Sequence, residues 1–134
     1  MKLNFIGVVV ILLFLNSCST NAHQIDLKSF FRRWQVDYIE LNGKKVKHLH
    51  SGDEEFDYEF KKDNTYIIYS ANGDHGIGNW ELNKSENCIY IRNHQNEIYG
   101  KIISIKSDEM ILIPTSKIGK NPDTELTKYY YIPK

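Results

Sequence analysis

Phe56-Asp57-Tyr58-Glu59-Phe60-Lys61-Lys62-Asp63-Asn64-Thr65-Tyr66-Ile67-Ile68-Tyr69 is the stretch on which the reading of the fold turns. Phe56, Tyr58 and Phe60 fall at every second position with Asp57 and Glu59 between them. On an extended chain that puts the aromatic side chains on one face and the carboxylates on the other. Asp63-Asn64 follow, two residues whose short polar side chains satisfy backbone groups in tight turns and tolerate positive φ. Thr65 to Tyr69 then supplies the β-branched and aromatic residues of a second strand. The stretch therefore predicts a β-hairpin.

The same rhythm runs outward in both directions. Upstream, residues 34–41 alternate and end at Asn42-Gly43, a strong hairpin-turn pair. Downstream, Asn72-Gly73-Asp74-His75-Gly76 returns the chain into a strand where Gly78, Trp80 and Leu82 share one face and Asn79 and Glu81 the other. Segments 88–92, 98–105, 110–114 and 126–132 complete a set of about eight strands. The one helical signal precedes them: Leu27, Phe30, Phe31 and Trp34 fall at i, i+3, i+4 and i+7 behind Asp26, a good N-cap. Phe30, Phe31 and Trp34 are expected to plug one end of the core.

Short strands, short turns and no crossover helices favour an up-and-down meander, and closing the sheet removes its exposed edges. The predicted fold class is all-β: an eight-stranded antiparallel up-and-down barrel with a short N-terminal helix. An eight-stranded barrel is just wide enough to be filled by side chains or to hold one small ligand. The expected inward set is Trp34, Tyr58, Phe60, Tyr66, Ile68, Trp80, Ile89, Ile91, Ile103, Ile105 and Leu112. Most of these are bulky, so filling by side chains is a serious alternative to a cavity.

The N-terminus reads differently. Met1-Lys2 is followed by the uncharged run 3–15, too short for the roughly 20 apolar residues of a transmembrane helix and ending in Leu15-Asn16-Ser17-Cys18. That tetrapeptide resembles the lipobox of bacterial lipoproteins, with Asn16 as its one departure. It implies cleavage before Cys18 and lipid on that cysteine. The expected organisation is a signal peptide at 1–17, a lipid-anchored tether at 18–24 and the barrel domain at 25–134. Cys88 is then the remaining thiol, which leaves no internal disulfide, so the domain rests on its hydrophobic core. Lysine plus arginine equals aspartate plus glutamate at 17 each. Cleavage removes only Lys2, and a near-neutral domain gives no electrostatic case for nucleic acid.

The ordered set Trp34-Gln-Val-Asp-Tyr-Ile-Glu-Leu-Asn42-Gly43, Phe60-Lys-Lys-Asp63-Asn64-Thr65-Tyr66, Gly78-Asn79-Trp80-Glu81-Leu82 and the closing run from Ile102 through Asp108-Glu109-Met110 to Leu112 resembles the small lipocalin-like lipoproteins of Gram-negative bacteria. The similarity spans nearly the whole chain after Cys18. Arg32 departs from the glycine of the Gly-x-Trp start motif in longer lipocalins, and Asn64 replaces a turn glycine. The resemblance implies a lipocalin-like fold with a binding or envelope role, and it supplies no catalytic residues.

Candidate sites follow from these readings. Ligand-binding candidates are Trp34, Tyr58, Tyr66, Trp80 and Tyr99, holding a small apolar or amphipathic molecule at the open barrel end without chemistry. The alternative is an inhibitor or immunity-type lipoprotein that binds a protein through segments 48–55 or 117–125. His48 and His50, with Asp53, Glu54 and Glu55 behind them, have metal-ligating chemistry but lack a third firm ligand and read as a solvated surface. Alternation explains the acidic run from Asp53 to Glu59 as an outer strand face. Cys88 reads as a small apolar filler, and Tyr129 and Tyr131 as one face of a closing strand. No nucleophile elbow, phosphate loop or Cys-x-x-Cys is present, so neither an enzyme nor a cofactor is expected. A monomer on the outer membrane, facing the periplasm, is the expected setting.

Overall fold

The computed structural model describes residues 23–46, 57–70, 73, 75–115 and 127–134. Among them lie one short helix, α1 (Leu27–Phe30), and nine strands: β1 (Arg33–Leu41), β2 (Lys44–Val46), β3 (Asp57–Phe60), β4 (Thr65–Tyr69), β5 (His75–Asn83), β6 (Cys88–Arg92), β7 (Ile98–Ile105), β8 (Met110–Pro114) and β9 (Thr127–Pro133). Each strand from β3 to β8 pairs antiparallel with the next, and β9 pairs back onto β1 from Trp34↔Pro133 to Leu41↔Thr127. The sheet is thus a closed eight-stranded antiparallel barrel with β2 as one extra strand. Among the described residues no helix is long and apolar enough to cross a membrane.

The extra strand has a simple cause. Asn42 (φ 49°) and Gly43 (φ 79°) both hold positive φ, which builds the tight primed turn that matches strand twist. That turn folds Lys44–Val46 back onto Ile39–Leu41. The upper half of one β1 edge goes to β2, and β3 meets β1 only at Arg33↔Glu59 and Trp34↔Tyr58. Three further asparagines, Asn64, Asn87 and Asn96, take positive φ, each in a turn between consecutive strands. In the quoted hairpin the Asp63 carboxylate accepts the Thr65 N–H while the Lys61 N–H donates to the Thr65 carbonyl, so the turn is fixed by its own residues.

α1 is shorter than the apolar spacing predicts. Asp26 does cap it, its carboxylate accepting the Lys28 N–H at 3.0 Å and the Ser29 hydroxyl at 2.7 Å. The helix ends at Phe30 because the sheet claims the following backbone: the Arg32 carbonyl accepts the Phe60 N–H, and β1 begins at Arg33. Trp34 therefore belongs to a strand, and its indole N–H donates at 3.1 Å to the Phe30 carbonyl, which also accepts the Arg32 N–H at 2.8 Å.

α1 closes one end of the barrel. Phe30 stacks on Phe60 at 4.2 Å between ring centroids and meets Trp80 edge-on at 5.2 Å. The interior above is a continuous cluster that includes Trp34, Tyr58, Phe60, Tyr66, Trp80, Ile89, Ile91, Ile105 and Leu112. The expected inward set needs one correction, since Ile103 lies outside this cluster and Ile102 and Met110 lie within it. The register passes from Ile102↔Leu112 to Ser104↔Ile111, leaving Ile103 as the extra residue of a β-bulge that shifts the alternation by one position. Ile68 packs against the cluster partly buried.

Candidate functional site

Strands β4, β6 and β8 run away from α1, so their C-terminal ends and the starts of β5, β7 and β9 form the rim opposite it. A cavity of about 470 Å³ opens at this rim. Tyr66 and Ile68 of β4 supply one wall, His75, Gly76 and Ile77 of β5 another, and Asn93, His94 and Tyr99 close it from the β6–β7 turn.

Local rules place each of these groups. Gly78 lies opposite Tyr66, and a methyl there would collide with the Tyr66 ring and with the Arg92 carbonyl. Only a bare backbone leaves room for the ring to lie along the wall, where its hydroxyl donates to the Arg92 carbonyl at 3.0 Å. Tyr99 is displaced by a second bulge, since Ile98 pairs with Arg92 and Gly100 with Ile91, leaving Tyr99 without a register partner. Bulges re-aim side chains, and Tyr99 stays 38% exposed at the rim. Asn93 holds its turn, its side-chain oxygen accepting the Gln95 and Glu97 N–H groups, which leaves His94 exposed at the tip. His75 meets the Tyr69 ring edge-on at 4.9 Å.

Below the cavity lies the buried cluster. Tyr58 is buried with its ring 5.7 Å from those of Tyr66 and Tyr131. Burial holds the Tyr58 phenol well above its ordinary ionisation range, with the Tyr131, Tyr99 and Tyr66 phenols and a hydrogen bond with Tyr99 adding to the shift. Burial likewise raises Tyr131 well above that range, and pushes Tyr66 up to about 12. These phenols stay neutral across the physiological range, making a floor of uncharged hydroxyls under an opening bordered by Ile68, His94 and the start of β5. Such a lining offers apolar contact and hydrogen bonding, with no lysine, arginine, aspartate or glutamate among its residues.

Of the five ligand candidates read from sequence, the structure brings Tyr66 and Tyr99 to this cavity, with Tyr58 beneath them. Trp34 and Trp80 lie elsewhere: Trp34 is 0% exposed under α1, and Trp80, 8% exposed, donates its indole N–H to the Lys61 carbonyl at the closed end. Both indoles are spent on closing the barrel. Sequence reasoning missed His75, Ile77 and His94. Ile77 carried a legible signal, because it occupies the polar register of β5 beside Asn79 and Glu81 and is 68% exposed. Cys88 is buried on the wall, and burial pushes its thiol up, away from thiolate reactivity. Cys18, His48, His50 and segments 48–55 and 117–125 lie outside the described residues.

No protein-family model matches this chain, and no curated protein matches it. Among solved structures it is similar to an uncharacterized protein from Bacteroides eggerthii DSM 20697, with 16% sequence identity, 78% of this chain and 99% of that chain covered, and a TM-score of 0.50. At that identity the likeness bears on the fold alone.

Proposed function

We propose that this protein is a lipid-anchored, lipocalin-like envelope module that binds a small amphipathic molecule at its barrel mouth and performs no chemistry on it. The observation that carries the reading is the division of the barrel: a buried aromatic and aliphatic cluster below, and above it a cavity of about 470 Å³ edged by Tyr66 and Tyr99. That volume lies within the roughly 300–1,000 Å³ usual for small-molecule sites. Its walls combine Ile68 and phenol ring faces with the hydrogen-bonding groups of Asn93, His94 and Tyr99, and His75 and Ile77 border it from the outward register of β5. Support for the envelope setting comes from the Leu15-Asn16-Ser17-Cys18 lipobox and from the lipocalin-like motif order. On this reading the protein is a monomer tethered to the outer membrane through Cys18 and facing the periplasm.

Native mass spectrometry of the protein purified from cells tests the proposal. The wild type should retain a small-molecule adduct. Gly76→Val should lose it while keeping the native circular dichroism spectrum, because the cavity wall at Gly76 faces Ile68 at ordinary contact distance and added methyls take up the open space. An adduct that survives both Gly76→Val and Tyr99→Ala would place the ligand elsewhere. A wild type with no adduct and a co-purified protein would favour the protein-binding alternative.

A further inference from the structure

We infer that the barrel stands on its membrane with the α1 end down, so that the cavity opens into the aqueous compartment and takes its ligand from water rather than from the supporting lipid layer. This rests on the reading of Cys18 as the lipid anchor and adds a direction to it. The direction comes from where the chain first joins the fold. The Gln24 carbonyl accepts the Ile105 N–H at 2.7 Å, the Ile105 carbonyl accepts the Asp26 N–H at 3.0 Å, and Ile25 forms a bridge to Ile105. Just before them, the His23 carbonyl accepts the Asn87 side-chain N–H at 2.7 Å. Ile105 ends β7 and Asn87 sits in the β5–β6 turn, both at the end that α1 closes. Residues 23–26 are therefore fastened to the closed end at several points.

Only residues 19–22 separate that attachment from Cys18. Five chain steps span at most about 18 Å fully extended. β7 covers eight residues, seven steps that at about 3.3 Å each and a barrel tilt near 40° put Ile98 roughly 18 Å from the closed end, with the β6–β7 turn standing beyond it. An inverted barrel would need the tether to climb that distance and still reach the lipid, which it is too short to do. The surface set against the headgroups is then α1 with turns 61–64, 84–87 and 106–109. Lys28, Arg32, Lys61, Lys62, Lys84 and Lys106 are exposed there, against Asp63, Glu86 and Asp108; the tether decides the orientation, and the excess of cations at this end agrees with it. A cavity held roughly 20 Å above the headgroups cannot draw a lipid directly from the layer beneath it.

The test uses the full chain, produced with its own N-terminus in a bacterial host and reconstituted into phosphatidylethanolamine and phosphatidylglycerol vesicles containing headgroup-spin-labelled lipid. In a Cys88→Ala background, one variant carries a fluorophore at Lys84→Cys and another at His94→Cys. Intact mass is read first. A chain without acyl groups overturns the Cys18 reading, and the orientation falls with it. Given an acylated chain, the expected result is several-fold stronger quenching at position 84 than at 94. Equal quenching, as for a barrel on its side, or stronger quenching at 94 overturns the orientation while the anchor stands.

Discussion

Gly78 and Gly76 face the barrel interior two residues apart on β5, and a methyl added at each should have opposite consequences. At Gly76 the new carbon would lie 3.6 Å from the Ile68 side chain, an ordinary contact. At Gly78 it would overlap the Arg92 carbonyl, which is backbone held in the β5–β6 ladder, and the hydroxyl end of Tyr66. Overpacking a tight core costs about 1–3 kcal/mol. Displacing Tyr66 also breaks its hydrogen bond to Arg92, a loss of about 1 kcal/mol. Gly78→Ala should therefore destabilise by about 2–4 kcal/mol, lowering Tm by roughly 10–20 °C for a domain of this size. Gly76→Ala, which mainly restricts the unfolded chain, should fall between neutral and about 1 kcal/mol stabilising. Urea unfolding followed by circular dichroism measures both, with an unchanged slope showing that the states compared are the same. If Gly78→Ala were as mild as Gly76→Ala, Tyr66 would not lie across the wall at Gly78 and the cavity would be shaped otherwise.

Further outcomes follow from the same geometry. With burial raising Tyr66 to about 12, and Tyr58 and Tyr131 well above their ordinary range, these groups favour the folded state below about pH 10, and that stability is lost as pH rises through their folded values. Alkaline titration at the phenolate absorbance should show part of the nine tyrosines ionising only as the fold is lost; all of them titrating near pH 10 in a native protein would contradict the buried floor. Asp26, held low chiefly by the Ser29 hydroxyl, and Asp63, held low chiefly by Thr65, add stability above about pH 4 that is lost as pH falls through their lowered values. Asp63→Asn should flatten the acid side of the stability profile, and an unchanged slope would show the turn carboxylate to be uninvolved. Trp34 and Trp80, both buried, should emit at short wavelength and resist quenching by iodide, whereas ready quenching would mean an open closed end.

The barrel was legible because its local signals agree. Alternation through Tyr58 and Phe60, the Asp63-Asn64 turn and the Gly78, Trp80, Leu82 face all point to one meander, and the structure keeps each of them. What escaped the sequence is set by long-range pairing. The helix was read as far as Trp34 because Phe30 and Trp34 do bury together; the backbone bond from Phe60 to Arg32 that ends the helix has no local trace. Bulges at Ile103 and Tyr99 break a period-two reading, since one unmatched residue moves every later side chain to the other face. The cavity was half visible. Tyr66 and Tyr99 stood out as aromatics at the expected open end, but His75, at the start of β5, and His94, in the β6–β7 turn, lie in stretches whose composition says only that the chain reverses. Trp34 and Trp80 lie at the closed end instead, and composition does not separate an aromatic at the mouth from one that closes a core.

Everything proposed for the mouth depends on β9 returning to β1, since an open sheet would expose the interior along its length. A NOESY spectrum of the labelled protein addresses that closure directly. Cross-strand backbone contacts should link Gln35 with Ile132 and Ile39 with Tyr129, with the Trp34 indole proton close to Phe30. Absence of the β1–β9 contacts in a spectrum that shows the β4–β5 and β6–β7 pairs would contradict the closed barrel and the placement of the site at its rim.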